Sequence, residues 1–174
     1  ELELQNGLRL RLHDPRRFGA VIWSDDPARH PLLTSLGIEP LDETFNGAWL
    51  KQKLAARQSA IKPQLMNAHI VVGIGNIYAN EALFLCGIDP RRACNTLTEE
   101  HYQRLAATLR QLLLRSIEQG GTTLRDFISP EGRPGYFQQT LNVYGRSREP
   151  CRVCATPIVQ FTQNQRSSFV CPNC

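Results

Sequence analysis

Gly73-Ile74-Gly75-Asn76-Ile77-Tyr78-Ala79-Asn80-Glu81 is the stretch on which the reading of the chain turns. Its two glycines free the backbone from the steric limits of a Cβ, and Asn76 is a favoured helix N-cap. A helix is therefore expected from Ile77 to Leu85 or Cys86, closed by Gly87. Such a corner has two uses. It can be a tight turn between helices, or it can bring bare N–H groups to the surface where a helix dipole begins, which makes a phosphate cradle. A dinucleotide-binding motif is disfavoured, because the residues before Gly73 read as helical and the third glycine is missing.

Helical periodicity continues on both sides. Upstream, Trp49, Leu50, Lys53 and Leu54 predict a helix to about Arg57, and Ser59 can cap a short one through Ile61, Leu65 and Met66. Pro63 is tolerated there only near the first turn. Downstream, Thr98 is the expected N-cap of the longest helix, Glu99 to Gln119. Its buried stripe is Tyr102, Leu105, Leu109 and Leu112, with Leu97 and Tyr102 as a hydrophobic staple. Gly120-Gly121 ends it. Residues 122–150 show little periodicity and contain a Pro/Gly-rich loop, 130–135, followed by Tyr136-Phe137.

The two ends differ from this middle. Leu2 and Leu4, then Leu8, Leu10 and Leu12, alternate around Asn6-Gly7, which reads as a two-residue hairpin turn. A third strand is expected from Phe18 to Trp23. These strands read as the edge of a larger sheet. The chain also starts inside the pattern without an initiator Met, which reads as a cut edge. Residues 25–42, rich in Pro and Asp, read as a linker with a helical turn at Leu32 to Leu36. At the other end, Cys151, Cys154, Cys171 and Cys174 form C-x2-C-x16-C-x2-C. Two such knuckles complete a tetrahedron of thiolates around one structural Zn²⁺. Val159, Phe161, Phe169 and Val170 are the hairpin's expected apolar contacts, too few to fold it without metal. Cys86 and Cys94 are isolated and read as small buried thiols.

Charge adds little. The formal net charge is +4, with 17 Arg against 3 Lys, and the whole surplus lies after residue 109. No stretch approaches a membrane span, and Glu1 to Gln5 has neither the basic nor the apolar part of a signal peptide. His13, His30, His69 and His101 are scattered, and no nucleophile–base pairing or metalloprotease motif is present. Taken alone, the residues describe a binding module. Arg166, the single charged residue between Cys154 and Cys171, sits at the hairpin tip, where it is either a solvated turn residue or an anion contact. Asp14-Pro15-Arg16-Arg17-Phe18 places an aromatic beside guanidinium groups. Phe18 there is either a core residue of the next strand or a wedge for a base stack.

Four motifs in order resemble the bacterial formamidopyrimidine-DNA glycosylase family: D-P-R-R-F-G at 14–19, G-I-G-N-I-Y-A-N-E at 73–81, G-G-T-T-L-R-D-F…G-R-P-G-Y-F at 120–137, and the four cysteines. The resemblance implies a multidomain α+β protein: a β-sandwich, a helical helix-two-turn-helix domain and a zinc β-hairpin. It implies excision of oxidised purines (8-oxoguanine and formamidopyrimidines) by an N-terminal proline that forms an imine, followed by β,δ-elimination at the abasic site. Carried over by position, Lys62, Gly75, Asn76 and Arg166 would hold DNA phosphates. Arg16 and Phe18 would fill the space left by the everted nucleotide. Tyr78, Thr122, Thr123, Arg125, Tyr136 and Phe137 would shape the lesion loop, with Arg125 standing where Lys is expected in some relatives. Cys151, Cys154, Cys171 and Cys174 would bind the zinc.

The proline and its glutamate partner have no match here, so residues 1–174 alone are expected to lack glycosylase and lyase activity. The expected division is 1–24, the last sandwich strands; 25–44, a linker; 45–145, the helical domain with lesion loop 121–137; and 146–174, the zinc hairpin. The expected partner is double-stranded DNA with oxidised purines or abasic sites. A monomer in the bacterial cytoplasm is expected, with no membrane and no obligatory protein partner. Three other readings remain: a non-enzymatic zinc-dependent DNA-binding module, an endonuclease VIII-like enzyme for pyrimidine lesions, and a protein-interaction zinc module.

Overall fold

Leucines at alternate positions set the first pairing. In the computed structural model, which describes residues 1–14, 19–119 and 141–174, strand β1 (Leu2–Glu3) runs antiparallel to β2 (Arg9–Leu10). Leu2 lies opposite Leu10 and Glu3 opposite Arg9. The Leu4 N–H donates to Leu8 O at 2.8 Å and the Gly7 N–H to Leu4 O at 2.9 Å, with Gly7 at φ +79°. The turn is thus a three-residue loop, Gln5-Asn6-Gly7, and not the expected two-residue one. The reason is register: an odd loop puts Leu across from Leu on one face, whereas a two-residue turn would oppose Leu to Arg.

Over 19–23 no strand forms among the described residues, which corrects the third strand expected up to Trp23. Val21, Ile22 and Trp23 are exposed. The turn of helix in the linker is α1, Pro31–Thr34, earlier than expected because Pro31 carries the φ of a first helical turn. Tertiary contacts divide the chain into Glu1–Ser35, just described, and Leu36–Cys174.

The second unit is built on a helical core. Asn46 caps α2 (Gly47–Leu54) by accepting the Trp49 N–H at 2.9 Å. Helix α3 (Ile61–Leu65) is not capped by Ser59. Its N-cap position is Ala60, because residues 59–61 bridge to 92–94: Ile61 N donates to Arg92 O and Cys94 N to Ser59 O. Helix α4 is Asn76–Leu85, and α5 is Glu99–Glu118. Thr98 caps α5 as expected, and His101 closes the reciprocal half of the capping box in place of the usual acid or amide.

Helices α2 and α4 pack on α5, burying Leu50, Leu54, Ala79, Ala82 and Leu83 with Tyr102, Leu105 and Leu109. Strands β3 (Val159–Gln163) and β4 (Arg166–Val170) pair antiparallel and close through a two-residue turn at Asn164-Gln165. Their apolar support differs from expectation. Phe169 is buried, but Val159 is exposed, and the small core is completed by Val143, Ile158, Cys151 and Cys171. Strand β4 packs on α4, so the hairpin and the helical core share one unit. Among the described residues no helix is long and apolar enough to cross a membrane.

Candidate nucleic-acid interface

The corner before α4 places Gly75, not Asn76, at the N-cap; Asn76 is the first helical residue. This corrects the capping role read from sequence, and the cause lies across the fold. The Asn76 side chain turns away from its own helix end and donates through Nδ2 to Ser167 O on β4, at 3.0 Å. Gly73 needs its lack of a Cβ for a φ of +73°. Gly75 does not: its backbone is extended, and a Cβ there would meet nothing within 4 Å. Its open side is the surface at which the first-turn N–H groups of a ten-residue helix point outward, where the helix dipole favours anions.

The same Ser167 carbonyl receives Lys62 Nζ at 2.8 Å, and that ammonium also donates to Ser168 Oγ at 2.7 Å. Lys62 is 1% exposed. It stands behind the surface, not on it, and burial pushes its ammonium down to about 8, with Arg166 adding a repulsive charge. Asn80, also buried, clamps the next step of the strand. Its Oδ1 accepts the Phe169 N–H at 2.8 Å while its Nδ2 reaches Asn76 O at 2.7 Å. Ser168 Oγ passes a hydrogen bond to Gln163 Oε1, and Gln163 Nε2 reaches Pro90 O. The hairpin is therefore held by α3, α4 and the loop at Pro90 through two backbone groups, Ser167 O and Phe169 N–H, and through the Ser168 and Gln163 side chains. Beside Ser167, Arg166 is exposed and lines a cleft of about 260 Å³ with Lys62, Pro63, Met66, Gln163 and Asn164.

Glu81 is the buried residue supporting this site that sequence reasoning missed. It is 1% exposed, and its carboxylate accepts four hydrogen bonds at 2.8–2.9 Å, from Asn142 N and Nδ2, Val143 N and Tyr144 N. It ties α4 to the segment that leads into the cysteine knuckles. The available signal was an acid on the apolar stretch Ala79 to Leu83.

The four cysteine sulfurs lie within 4.8 Å of one another. Individual separations are 3.8 Å for Cys151–Cys174 and 3.4 Å for Cys154 with both Cys171 and Cys174. Tetrahedral zinc with sulfur at about 2.3 Å sets such separations near 3.8 Å, so the donor set fits one zinc ion. Hydrogen bonds from the Thr156 hydroxyl and N–H, then from Cys171, draw the Cys154 thiol down to about 6. Cys174 is raised chiefly by its contact with Cys154. Cys86 and Cys94 are buried and free of disulfides, and burial raises both.

Tyr78 is half-buried, with its hydroxyl 2.5 Å from Ser116 Oγ on α5. Arg16, Phe18, Thr122, Thr123, Arg125, Tyr136 and Phe137 lie outside the described residues.

Fold and site define the class first: a helical module whose α4 corner is locked to a four-cysteine finger. Residues 36–128 match the family described as the formamidopyrimidine-DNA glycosylase H2TH domain, and residues 148–174 match the zinc finger found in FPG and IleRS. The chain belongs to the formamidopyrimidine-DNA glycosylase family. It is 55% identical over all 174 residues to the formamidopyrimidine-DNA glycosylase of Sodalis glossinidius (strain morsitans), and 53% to that of Salmonella arizonae. It spans 65% of the length of each.

Among solved structures it resembles the MutM (Fpg) protein of Thermus thermophilus, with a TM-score of 0.85 and 40% identity. That match covers 93% of this chain and 62% of that one. The Lactococcus lactis Fpg in complex with abasic-site DNA matches with a TM-score of 0.76 and 34% identity, over 82% of this chain and 52% of that one.

Proposed function

We propose that this chain is the DNA-gripping part of a DNA glycosylase/AP lyase that excises oxidised purines. The observation that carries this reading is the shared Ser167 carbonyl. Asn76 from the helical corner and Lys62 from α3 both bind it, so the amide-lined α4 terminus and the Arg166 tip belong to one surface. On that surface Gly75 N–H, Asn76 and Arg166 contact successive phosphates, with Lys62 behind them. Relatives crystallised with DNA containing Fapy-dG, carbocyclic 8-oxo-G or an abasic site support the substrate class.

In the whole enzyme the chemistry is that of an N-terminal proline amine attacking C1′, with β,δ-elimination after base loss. No residue of this chain is assigned as nucleophile. Zinc held by four thiolates has no open position and supplies structure only. Tyr78, with Thr122, Thr123, Arg125, Tyr136 and Phe137, borders the everted base, and Arg16 and Phe18 fill its place. Residues 1–24 belong to the β-sandwich domain of the whole enzyme, 25–44 are a linker whose second half, from Leu36, packs with the helical domain, 45–145, and 146–174 are the finger. One copy provides both grips, so neither a second subunit nor a protein partner is needed.

The test is binding of the zinc-loaded chain to duplex carrying one abasic analogue, across a salt series. Arg166→Ala is expected to weaken binding about tenfold and to lower the salt slope by about one. Gly75→Ala, whose methyl meets no protein atom within 4 Å, should weaken binding several-fold with an unchanged Tm. Wild-type affinity in both variants, or no duplex binding at all, sinks the reading.

A further inference from the structure

An ammonium is costly to remove from water unless it is paired. Among the described residues Lys62 has no carboxylate partner: its two acceptors are Ser167 O and Ser168 Oγ. The charge that acts on it is Arg166, of the same sign, across one cleft. The other groups around it are neutral: Pro63 and Met66 on α3, Gln163 and Asn164 on the hairpin, and Asn76 and Asn80 sharing its acceptor. Asp89 and Arg91, on the loop that receives Gln163, are paired with each other at 2.6 Å. Two cations lining one cleft repel, and an anion placed there removes the repulsion.

We propose that Lys62 is a positioning residue acting through the hairpin: its amine holds Ser167 and Ser168 so that Arg166 faces the DNA, and it takes up a proton when a phosphate enters the cleft. The inference rests on the DNA-binding reading above and adds to it a proton linkage. In the free protein burial and Arg166 bring the amine down to about 8, so a sizeable fraction is neutral at mildly alkaline pH. A phosphate beside it favours the charged form and restores the proton. Binding is then tightest below about pH 8. It weakens by up to tenfold per pH unit above that, until the amine titrates in the complex as well.

The experiment is calorimetry of the zinc-loaded chain with a short duplex bearing one abasic analogue, near pH 8, in buffers of different ionisation enthalpy. Uptake of about half a proton per complex is expected. Lys62→Met, with zinc content and circular dichroism checked, should bind about tenfold more weakly, with no uptake and a flat pH profile from about 7.5 to 9. Should that variant fail to fold, the wild-type measurement decides alone. Tight binding without proton exchange overturns this inference and leaves the DNA reading standing, as does uptake that persists in Lys62→Met. Absence of any duplex binding overturns both.

Discussion

Glu81 and Lys62 show what a single buried charge can do when its partners are backbone. Glu81 presents only acceptors to four donors. Glu81→Gln puts an NH2 against backbone N–H groups, and a loss of about 2–3 kcal/mol in denaturant unfolding is expected. An unchanged midpoint would show that the amide finds other partners. Lys62 predicts the opposite sign. Its folded value, about 8, lies below the ordinary 10.5, so between these pH values the unfolded chain binds the proton that the folded one releases. Stability from this residue therefore rises with pH across that window. Wild type should gain on Lys62→Met by up to about 1.4 kcal/mol per pH unit. Below about pH 8 both states carry the proton, and the difference between wild type and Lys62→Met should no longer change with pH. Neither burial was legible in the sequence, because the partners lie 61 and 105 residues away.

At the scale of elements, legibility followed the range of the interaction. Helix α5 was readable because its cap and its stripe lie within its own sequence, from Thr98 to Ser116. The cysteine knuckles were readable for the same reason. The Asn6-Gly7 turn was misread because the choice between two and three loop residues is made by cross-strand leucines, not by the turn dipeptide. Ser59 lost its capping role to a bridge with residues 92–94. The tip of the zinc hairpin carries a similar mismatch. Asn164 and Gln165 both have positive φ, 47° and 58°, and only the first is a residue type that accepts this readily. Gln165→Gly should raise the hairpin's stability by up to about 1 kcal/mol, measured by hydrogen exchange of the β3–β4 amides. Faster exchange would mean that the Gln side chain contributes more than its backbone costs.

For the molecule as a whole, two small apolar clusters share the second unit, and they depend on metal to different degrees. The helical cluster around Tyr102 and Leu83 is complete without the finger. The cluster of Val143, Ile158 and Phe169 includes two of the four cysteines. Chelation of zinc is expected to abolish the β3–β4 amide protection while α2, α4 and α5 stay folded, as followed by NMR. Loss of helical signals in parallel would show one cooperative unit. Retention of hairpin signals would remove zinc from the folding argument. The grouping of α3, α4 and β4 around one carbonyl belongs to this scale, and no local pattern could have revealed it.

The Glu81 clamp has one more implication. It pins residues 142–144 to α4, while α5 runs to Glu118, so the chain on either side of residues 120–140 is anchored independently of what those residues are. Closure entropy grows only slowly with length, about 0.6 kcal/mol per doubling. Grafts of different length and sequence between the two anchors should therefore leave the scaffold intact.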